Sequence, residues 1–305
     1  MISPLPLEGE IAPAPVAHAR QARSYWQESW GRLRTNKLGV AAGLVLVFFV
    51  LVAILAPLLS ALFTHTDYRT IRLTDTFAPP FQAGHILGTD DLGRDELTRL
   101  LFGAQVSVGI GFLAVFVALT IGAAVGLVAG YYGGLLDGLL MRFVDMILAI
   151  PAIFLFILMA LLFKPNTITL ALIIASVGWG SIARLVRGEV LSVGTRDFMV
   201  ATKALGASDG RLIVRHLLPN VLHVLIVFGS LYLGQVILIE AALDFLGLGI
   251  NPPTPSWGNM LTNSETFFFH SRWLVVWPGL TIFFSVLAAS LFGNALRDAF
   301  DPRLR

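Results

Sequence analysis

Two acidic residues, Glu240 and Asp244, lie four positions apart directly after the charge-free stretch 217–239. On a helix this spacing places both side chains on one face. An ionisable group inside a membrane span costs about 2.5–3.5 kcal/mol and usually faces a cavity. The pair could therefore line a translocation path and attract an amine. Alternatively, both carboxylates emerge into external water at the end of a span, and the sequence leaves both interpretations open.

A second cluster of ionisable residues occupies the stretch 85–96. It consists of His85, Asp90, Asp91, Asp95 and Glu96. The cluster has no ligand spacing of a recognised metal cage, so we predict no metal site. We instead expect residues 89–91 to form a helix N-terminus, where negative charge complements the helix dipole.

The other chemistry-bearing residues form no catalytic or nucleotide-binding motif. The six histidines fit neither an HExxH zinc motif nor a Ser/His/Asp set. None of the three lysines, at positions 37, 164 and 203, follows a glycine, so the GxxxxGK[ST] phosphate loop is absent from the sequence. We predict that the chain is not an enzyme and binds no cofactor. If the protein takes part in an ATP-driven process, ATP hydrolysis must occur on another polypeptide.

Composition indicates the environment that holds these residues. The 305-residue chain is 56% hydrophobic and only 13% charged, whereas an ordinary soluble domain carries about 25% charged residues. It has no cysteine, which excludes disulfides and cysteine-ligated metals. We therefore expect an all-α integral membrane protein.

Six charge-free windows meet or approach the length of about 20 apolar residues that a membrane helix needs. They are 38–63, 100–136, 146–163, 165–183, 217–239 and 273–296. The third span is expected to start earlier than its charge-free window, near Leu139. This start places Arg142 and Asp145 close to the membrane surface, where they can pair. The sequence thus predicts six transmembrane helices.

The distribution of basic residues predicts the orientation of these helices. With the N-terminus in the cytoplasm, 15 Lys and Arg fall in inside segments and 6 in outside segments. The positive-inside rule then places both termini in the cytoplasm. The basic residues therefore act as a topology signal, and we predict no nucleic-acid partner.

The cytoplasmic stretch 197–219 carries the signals of two short helices joined at a glycine. Asp197 is a suitable N-cap, and Gly206 lies where a helix C′ glycine is expected. A second helix, capped by Ser208, runs to the join with the fifth span at Pro219. The first helix has an apolar face formed by Phe198, Ala201 and Leu205. This segment is either an amphipathic loop on the membrane surface or a docking element that inserts into a partner.

The stretch ATKALGASDGRLIVRHLLPN, residues 201–220, resembles the signature loop of ABC-importer permeases. Gly206, Leu218 and Pro219 match that pattern, whereas Val200 and Thr202 replace two members of its acid-Ala-Ala triplet. Five other stretches resemble the dipeptide, oligopeptide and nickel branch of the same family. They are GRLRTNKLGVAAG at 31–43, LGTDDLGRD at 87–95, DMILAIP at 145–151, FLGLGINPPTPSWGNML at 245–261 and LRDAFDPRLR at 296–305.

This resemblance, which covers residues 25–305, implies a type I importer permease in the bacterial inner membrane. The implied partners are a second homologous permease in a heterodimer, two cytoplasmic ATPase subunits and an external solute-binding protein. The implied coupling residues are Phe198, Ala201, Lys203, Leu205, Gly206, Ala207, Arg211, Leu218 and Pro219.

The predicted organisation has four parts. They are a disordered cytoplasmic tail at 1–24, an extension with the first span and an external loop at 25–99, a permease core at 100–298 that contains the coupling loop 189–219, and a cytoplasmic tail at 299–305. The predicted cargo is di- and oligopeptides. Glutathione or nickel import, and a stand-alone channel or secondary transporter, remain alternatives.

Overall fold

The computed structural model describes residues 25–301. Apart from two short 3₁₀ turns and one π-helical turn, the helices in that range are α-helices. The predicted disordered tail 1–24 and residues 302–305 lie outside the described residues. The helices are α1 (Tyr25–Thr35), α2 (Lys37–Phe63), α3 (Glu96–Tyr132), α4 (Gly134–Ala149), α5 (Ala152–Leu162), α6 (Thr167–Gly194), α7 (Asp197–Ala204), α8 (Asp209–Arg211), α9 (Leu218–Phe245), α10 (Ser264–His270) and α11 (Trp273–Phe300).

Five helical segments are long and apolar enough to cross a membrane, and the bent pair α4–α5 can form a sixth span. The all-α, six-span prediction is thereby confirmed. We call the end that carries the loops 64–95 and 246–272 the outer end, and the end that carries α1 and α7 the inner end. These names follow the predicted orientation.

The third span is not one continuous helix, because α4 and α5 meet at an angle of 85°. Proline disfavours helical geometry in the residue before it. Accordingly, Ile150 is extended, with φ −90° and ψ 129°, and α5 begins after Pro151.

The predicted pairing of Arg142 with Asp145 is wrong. Asp145 instead accepts a hydrogen bond of 2.7 Å from Arg184 on α6.

The core is built on a close packing of α3 against α6. Gly122, Gly126 and Gly130 recur every four residues along α3 and form a smooth strip, as small residues do where membrane helices approach closely. A Cβ atom at Gly122 would lie 2.6 Å from the Cβ of Ile182. This contact explains why glycine is needed there.

The first and last described helices meet at the inner end. Leu33 of α1 is buried against Ala295, Leu296 and Ala299 of α11, and the Arg32 guanidinium donates a hydrogen bond of 2.9 Å to the carbonyl oxygen of Asp301. Both ends of the described chain therefore lie on the same side of the helix bundle, as an even number of crossings requires.

Candidate coupling loop and outer polar network

Helix α7 has the termination expected from the sequence. Gly206 adopts a left-handed backbone with φ +80°, and its N–H donates to the carbonyl of Lys203 at 3.0 Å. The N–H of Ala207 donates to the carbonyl of Thr202 at 3.4 Å. These two bonds form a Schellman C-cap, which ends the helix and turns the chain back towards the bundle.

The apolar face predicted on α7 points away from the rest of the helix bundle and is exposed. The side chain of Phe198 is 40% exposed and that of Leu205 is 88% exposed, while Ala201 and Lys203 are exposed as well. Val200, which the sequence analysis did not assign to this face, is 60% exposed. Met199 instead points inward and is buried. We call Phe198, Val200, Ala201 and Leu205 the α7 surface.

The segment after Gly206 differs from the predicted separate helix. Asp209 to Phe245 forms one continuous helical segment, so Pro219 does not mark a join. Residues 212–217 adopt a wider π-helical turn, in which the N–H of Leu218 donates to the carbonyl of Ile213. Proline cannot donate to the carbonyl four residues back and clashes with it. The wider turn accommodates both effects.

Several contacts hold this loop against the bundle. The Tyr131 hydroxyl at the inner end of α3 donates a hydrogen bond of 2.6 Å to Asp209, and Leu212 and Leu217 are fully buried. Ala207 and Leu218 are half-buried against the main core, whereas Arg211 and Pro219 are exposed. A cavity of about 580 Å³ lies behind α7, between Tyr131 and Met199. The loop is thus anchored on both sides, with α7 projecting between the anchors.

At the outer end, Glu240 and Asp244 are both buried within the chain. The interpretation that they emerge into water is therefore wrong for both residues. The Ser107 hydroxyl on α3 donates a hydrogen bond of 2.9 Å to Glu240 Oε1. Asp244 accepts one bond from the Ser256 hydroxyl and one, of 2.7 Å, from the N–H of Ile250. These bonds connect α9 to α3 and to the loop that follows α9.

The loop after α9 is fixed by residues that the sequence analysis did not single out. The N–H of Trp257 donates to Ser107 Oγ at 3.1 Å, and its indole N–H donates to the carbonyl of Leu100 at 3.2 Å. The Asn259 side chain donates to the carbonyls of Ile250 and Thr254. The two partners of Trp257 lie 150 and 157 positions away in the sequence, so no local pattern could have revealed these contacts.

The cluster at 85–96 forms a hydrogen-bonded cap over the start of α3. Asp95, rather than residues 89–91, is the N-cap of α3, and it accepts a bond of 2.8 Å from the N–H of Thr98. Its second oxygen lies 2.7 Å from His85 Nδ1. Asp90 pairs with Arg94 at 2.6 Å. Within residues 25–301 no group of three His, Asp or Glu side chains could hold a metal ion.

The fold and these two sites define a multi-pass membrane permease with an exposed loop at one end. The chain belongs to the family described as the binding-protein-dependent transport system inner membrane component, which matches residues 122–305. Residues 24–80 match the N-terminal TM domain of oligopeptide transport permease C. The resemblance to the peptide branch of ABC-importer permeases is thereby confirmed, and the protein is a multi-pass inner-membrane protein.

Three relatives indicate the range of the branch. The dipeptide transport system permease protein DppC of Alkalihalophilus pseudofirmus is 41% identical, covering 93% of this chain and 92% of the relative. The oligopeptide transport system permease protein OppC of Escherichia coli K12 is 37% identical, covering 93% of both chains. The glutathione transport system permease protein GsiD of Shigella flexneri is also 37% identical, covering 95% of both chains.

Proposed function

We propose that this chain is one of two homologous permeases of an ATP-driven importer for dipeptides and oligopeptides. In this assembly it provides half of the translocation path, and an external solute-binding protein delivers the cargo. Two cytoplasmic ATPase subunits bind ATP and Mg²⁺, since the sequence has no phosphate loop of its own. The peptide assignment is supported by the names of the DppC and OppC relatives.

The observation that carries the proposal is the exposed α7 surface. Large apolar side chains on a short, rigidly capped helix form a docking surface when a partner can bury them. Phe198, Ala201, Lys203, Leu205 and Arg211 are the exposed members of the proposed contact. Gly206, Ala207, Leu218 and Pro219 shape the backbone that positions it. The amphipathic-loop interpretation is less well supported, because α7 is capped and anchored by its neighbours.

We also propose that Glu240 and Asp244 lie beside the outer part of the path. Asp244 lines a cavity at the outer end, and Glu240 lies one helical turn further in. If they face cargo, changing them to Gln and Asn should lower uptake of free-amine peptides while leaving ATP hydrolysis intact. Unchanged uptake of peptides of every charge would limit both residues to holding the loop after α9.

Reconstitution tests the proposed function directly. The chain, its partner permease, two ATPase subunits and the binding protein would be reconstituted in proteoliposomes with ATP inside. We expect uptake of labelled dipeptides and oligopeptides that requires ATP and the binding protein. Glutathione and nickel serve as alternative cargoes in the same assay. Uptake of either cargo without uptake of the labelled dipeptides and oligopeptides would refute the peptide assignment. Uptake by this chain alone would instead establish a stand-alone channel or secondary transporter.

A further inference from the structure

The first turn of α3 contains two buried ionisable side chains with incomplete partners. Glu96 is 2% exposed and Arg99 is 5% exposed. Among the described residues, neither Oε1 of Glu96 nor Nη1 of Arg99 has a hydrogen-bond partner. Arg99 Nε lies 3.5 Å from Asp90 Oδ2, but Asp90 already has a closer partner in Arg94. Each side chain therefore retains a free hydrogen-bonding position.

Such positions are costly inside a protein. Buried polar atoms in native structures almost always have a partner, and an unpaired exception calls for an explanation such as a bound ion, water or ligand. Burial of a charged group without a partner is more expensive still. Two such groups within one helical turn point to a molecule that supplies the missing partners.

Both side chains line the same cavity of about 280 Å³ at the outer end. The cavity lies between the first turn of α3, the loop that precedes it and the end of α9. Its acidic lining also includes Asp91 and Asp244, and its apolar wall includes Ile250 and Leu274. The cavity is thus slightly below the usual size of a drug-sized ligand site, about 300–1,000 Å³, and combines opposite charges with an apolar side.

The chemical types of the two unpartnered groups define the chemistry of a ligand. Glu96 and Arg99 are three residues apart and lie on the same side of α3. The ion pairs found within residues 25–301 nevertheless do not include one between these two side chains. A carboxylate matches the guanidinium, which is suited to planar anions. An ammonium group matches the carboxylate of Glu96.

We propose that this cavity binds a small zwitterion, an amino acid or a dipeptide with free termini. Arg99 Nη1 donates a hydrogen bond to the ligand carboxylate, and Glu96 Oε1 accepts one from the ligand ammonium group. The apolar wall contacts the ligand side chain. The identity of the ligand as cargo rests on the proposed peptide-import function, whereas binding itself does not depend on transport.

The binding test uses the assembled permease complex in nanodiscs without the solute-binding protein. The probe is radiolabelled Ala-Ala, measured by equilibrium binding, with N-acetyl-Ala-Ala and Ala-Ala-amide as competitors. We expect saturable binding of Ala-Ala, and we expect each blocked peptide to compete about tenfold less well. A tenfold loss is the order expected for one charge-assisted hydrogen bond.

Two substitutions assign the two ends of the ligand. Glu96→Gln should weaken Ala-Ala binding about tenfold but leave competition by N-acetyl-Ala-Ala unchanged, because that peptide has no ammonium group. Arg99→Gln should also weaken Ala-Ala binding about tenfold but leave competition by Ala-Ala-amide unchanged, because that peptide has no carboxylate. Glu265→Gln and Arg272→Gln are matched controls, since both side chains are exposed at the same end outside the cavity, and they should change nothing.

Other results would overturn the proposal. If the wild-type complex shows no saturable binding, or if Glu96→Gln raises thermal stability without changing Ala-Ala binding, the cavity holds only water. Because glutamine has nearly the shape of glutamate, this variant keeps the test valid even if Arg99→Gln fails to fold. Dipeptide uptake by the reconstituted importer without binding in this cavity would refute the binding proposal but not the import function. Binding in this cavity without dipeptide uptake would refute the import function but not the binding proposal.

Discussion

Ser107 shows how single residues join distant parts of the outer end. Its hydroxyl donates to Glu240 on α9 and accepts from the N–H of Trp257 in the following loop. All three residues are buried. One small side chain on α3 therefore satisfies two polar groups that water cannot reach, and it holds the loop against the bundle.

We predict that Ser107→Ala destabilises the permease. The change leaves a buried N–H and a carboxylate oxygen without partners, at a cost of about 1–3 kcal/mol for each group. Thermal unfolding in detergent measures the effect. Ser285→Ala is the control, because the Ser285 hydroxyl is buried but bonds only to the carbonyl of Ile282 in its own helix. Equal melting temperatures for the two variants would contradict the linking role of Ser107.

We predict a similar sensitivity at Gly258. A Cβ atom there would lie 2.6 Å from the Cα and 2.8 Å from the carbonyl oxygen of Ala241. Because these are backbone atoms of α9, the loop must move, and overpacking of this kind costs about 1–3 kcal/mol. Gly258→Ala should therefore lower the thermal stability of the permease, measured by unfolding in detergent. Gly109→Ala, where no atom lies within 4 Å of the added group, should be tolerated, and an equal loss in both variants would refute this explanation.

At the residue level, the sequence identified charged positions but not their partners. Glu240 and Asp244 were found because charge is rare beside a span. Ser107 and Ser256 were not, because serine is common and its role depends on contacts such as the Ser107–Glu240 bond across 133 positions. The Schellman turn at Gly206 was predictable because all its parts are local.

At the level of helices, hydropathy located the spans but misjudged the end of one helix and missed a break within another. The fourth window was ended before Arg184, yet α6 continues to Gly194. Its two arginines there are paired, since Arg184 donates to Asp145 of α4 at 2.7 Å and Arg187 donates to Asp137 of α4 at 2.5 and 2.6 Å. The break at Pro151 was also missed, because an apolar window does not reveal the backbone preference of Ile150.

The arrangement of helices predicts the topology of reporter fusions. The basic residues favour the inner end, at 15 to 6, and α1 meets the end of α11 there. Fusions at residues 20, 135, 205 and 303 should therefore report a cytoplasmic location, and fusions at 75, 164 and 260 an external one. Activities of a phosphatase reporter and a fluorescent-protein reporter give the two readouts. A cytoplasmic signal at residue 260 would refute the six-span arrangement.

At the level of the whole molecule, the two ends differ in character. The outer end is held by buried polar bonds that join α3, α9 and their loops. The inner end presents the α7 surface on a short helix that is capped and anchored on both sides. This difference is consistent with an outer end that handles cargo and an inner end that receives movement from a partner.

The central claim is that the α7 surface couples ATP hydrolysis to transport. Leu205 is more exposed than Phe198, so docking can bury more of it, and full burial of such a side chain contributes about 1.5–3 kcal/mol. Leu205→Ala should therefore weaken ATPase binding more than Phe198→Ala. Gly206→Val adds a side chain in open space but in a left-handed backbone, at about 1–2 kcal/mol. It should misdirect α7 without unfolding the bundle.

The most direct measurement is the number of peptides imported per ATP hydrolysed, recorded with ATPase pull-down from the same proteoliposomes. We predict that Leu205→Ala, Phe198→Ala and Gly206→Val leave insertion and pairing of the permeases intact but lower ATPase binding or this ratio. Gly210→Val is the control, because it adds the same side chain in open space without a positive φ, and it should keep both near wild type. Full ATPase binding and an unchanged ratio in all three variants would contradict the coupling role of α7.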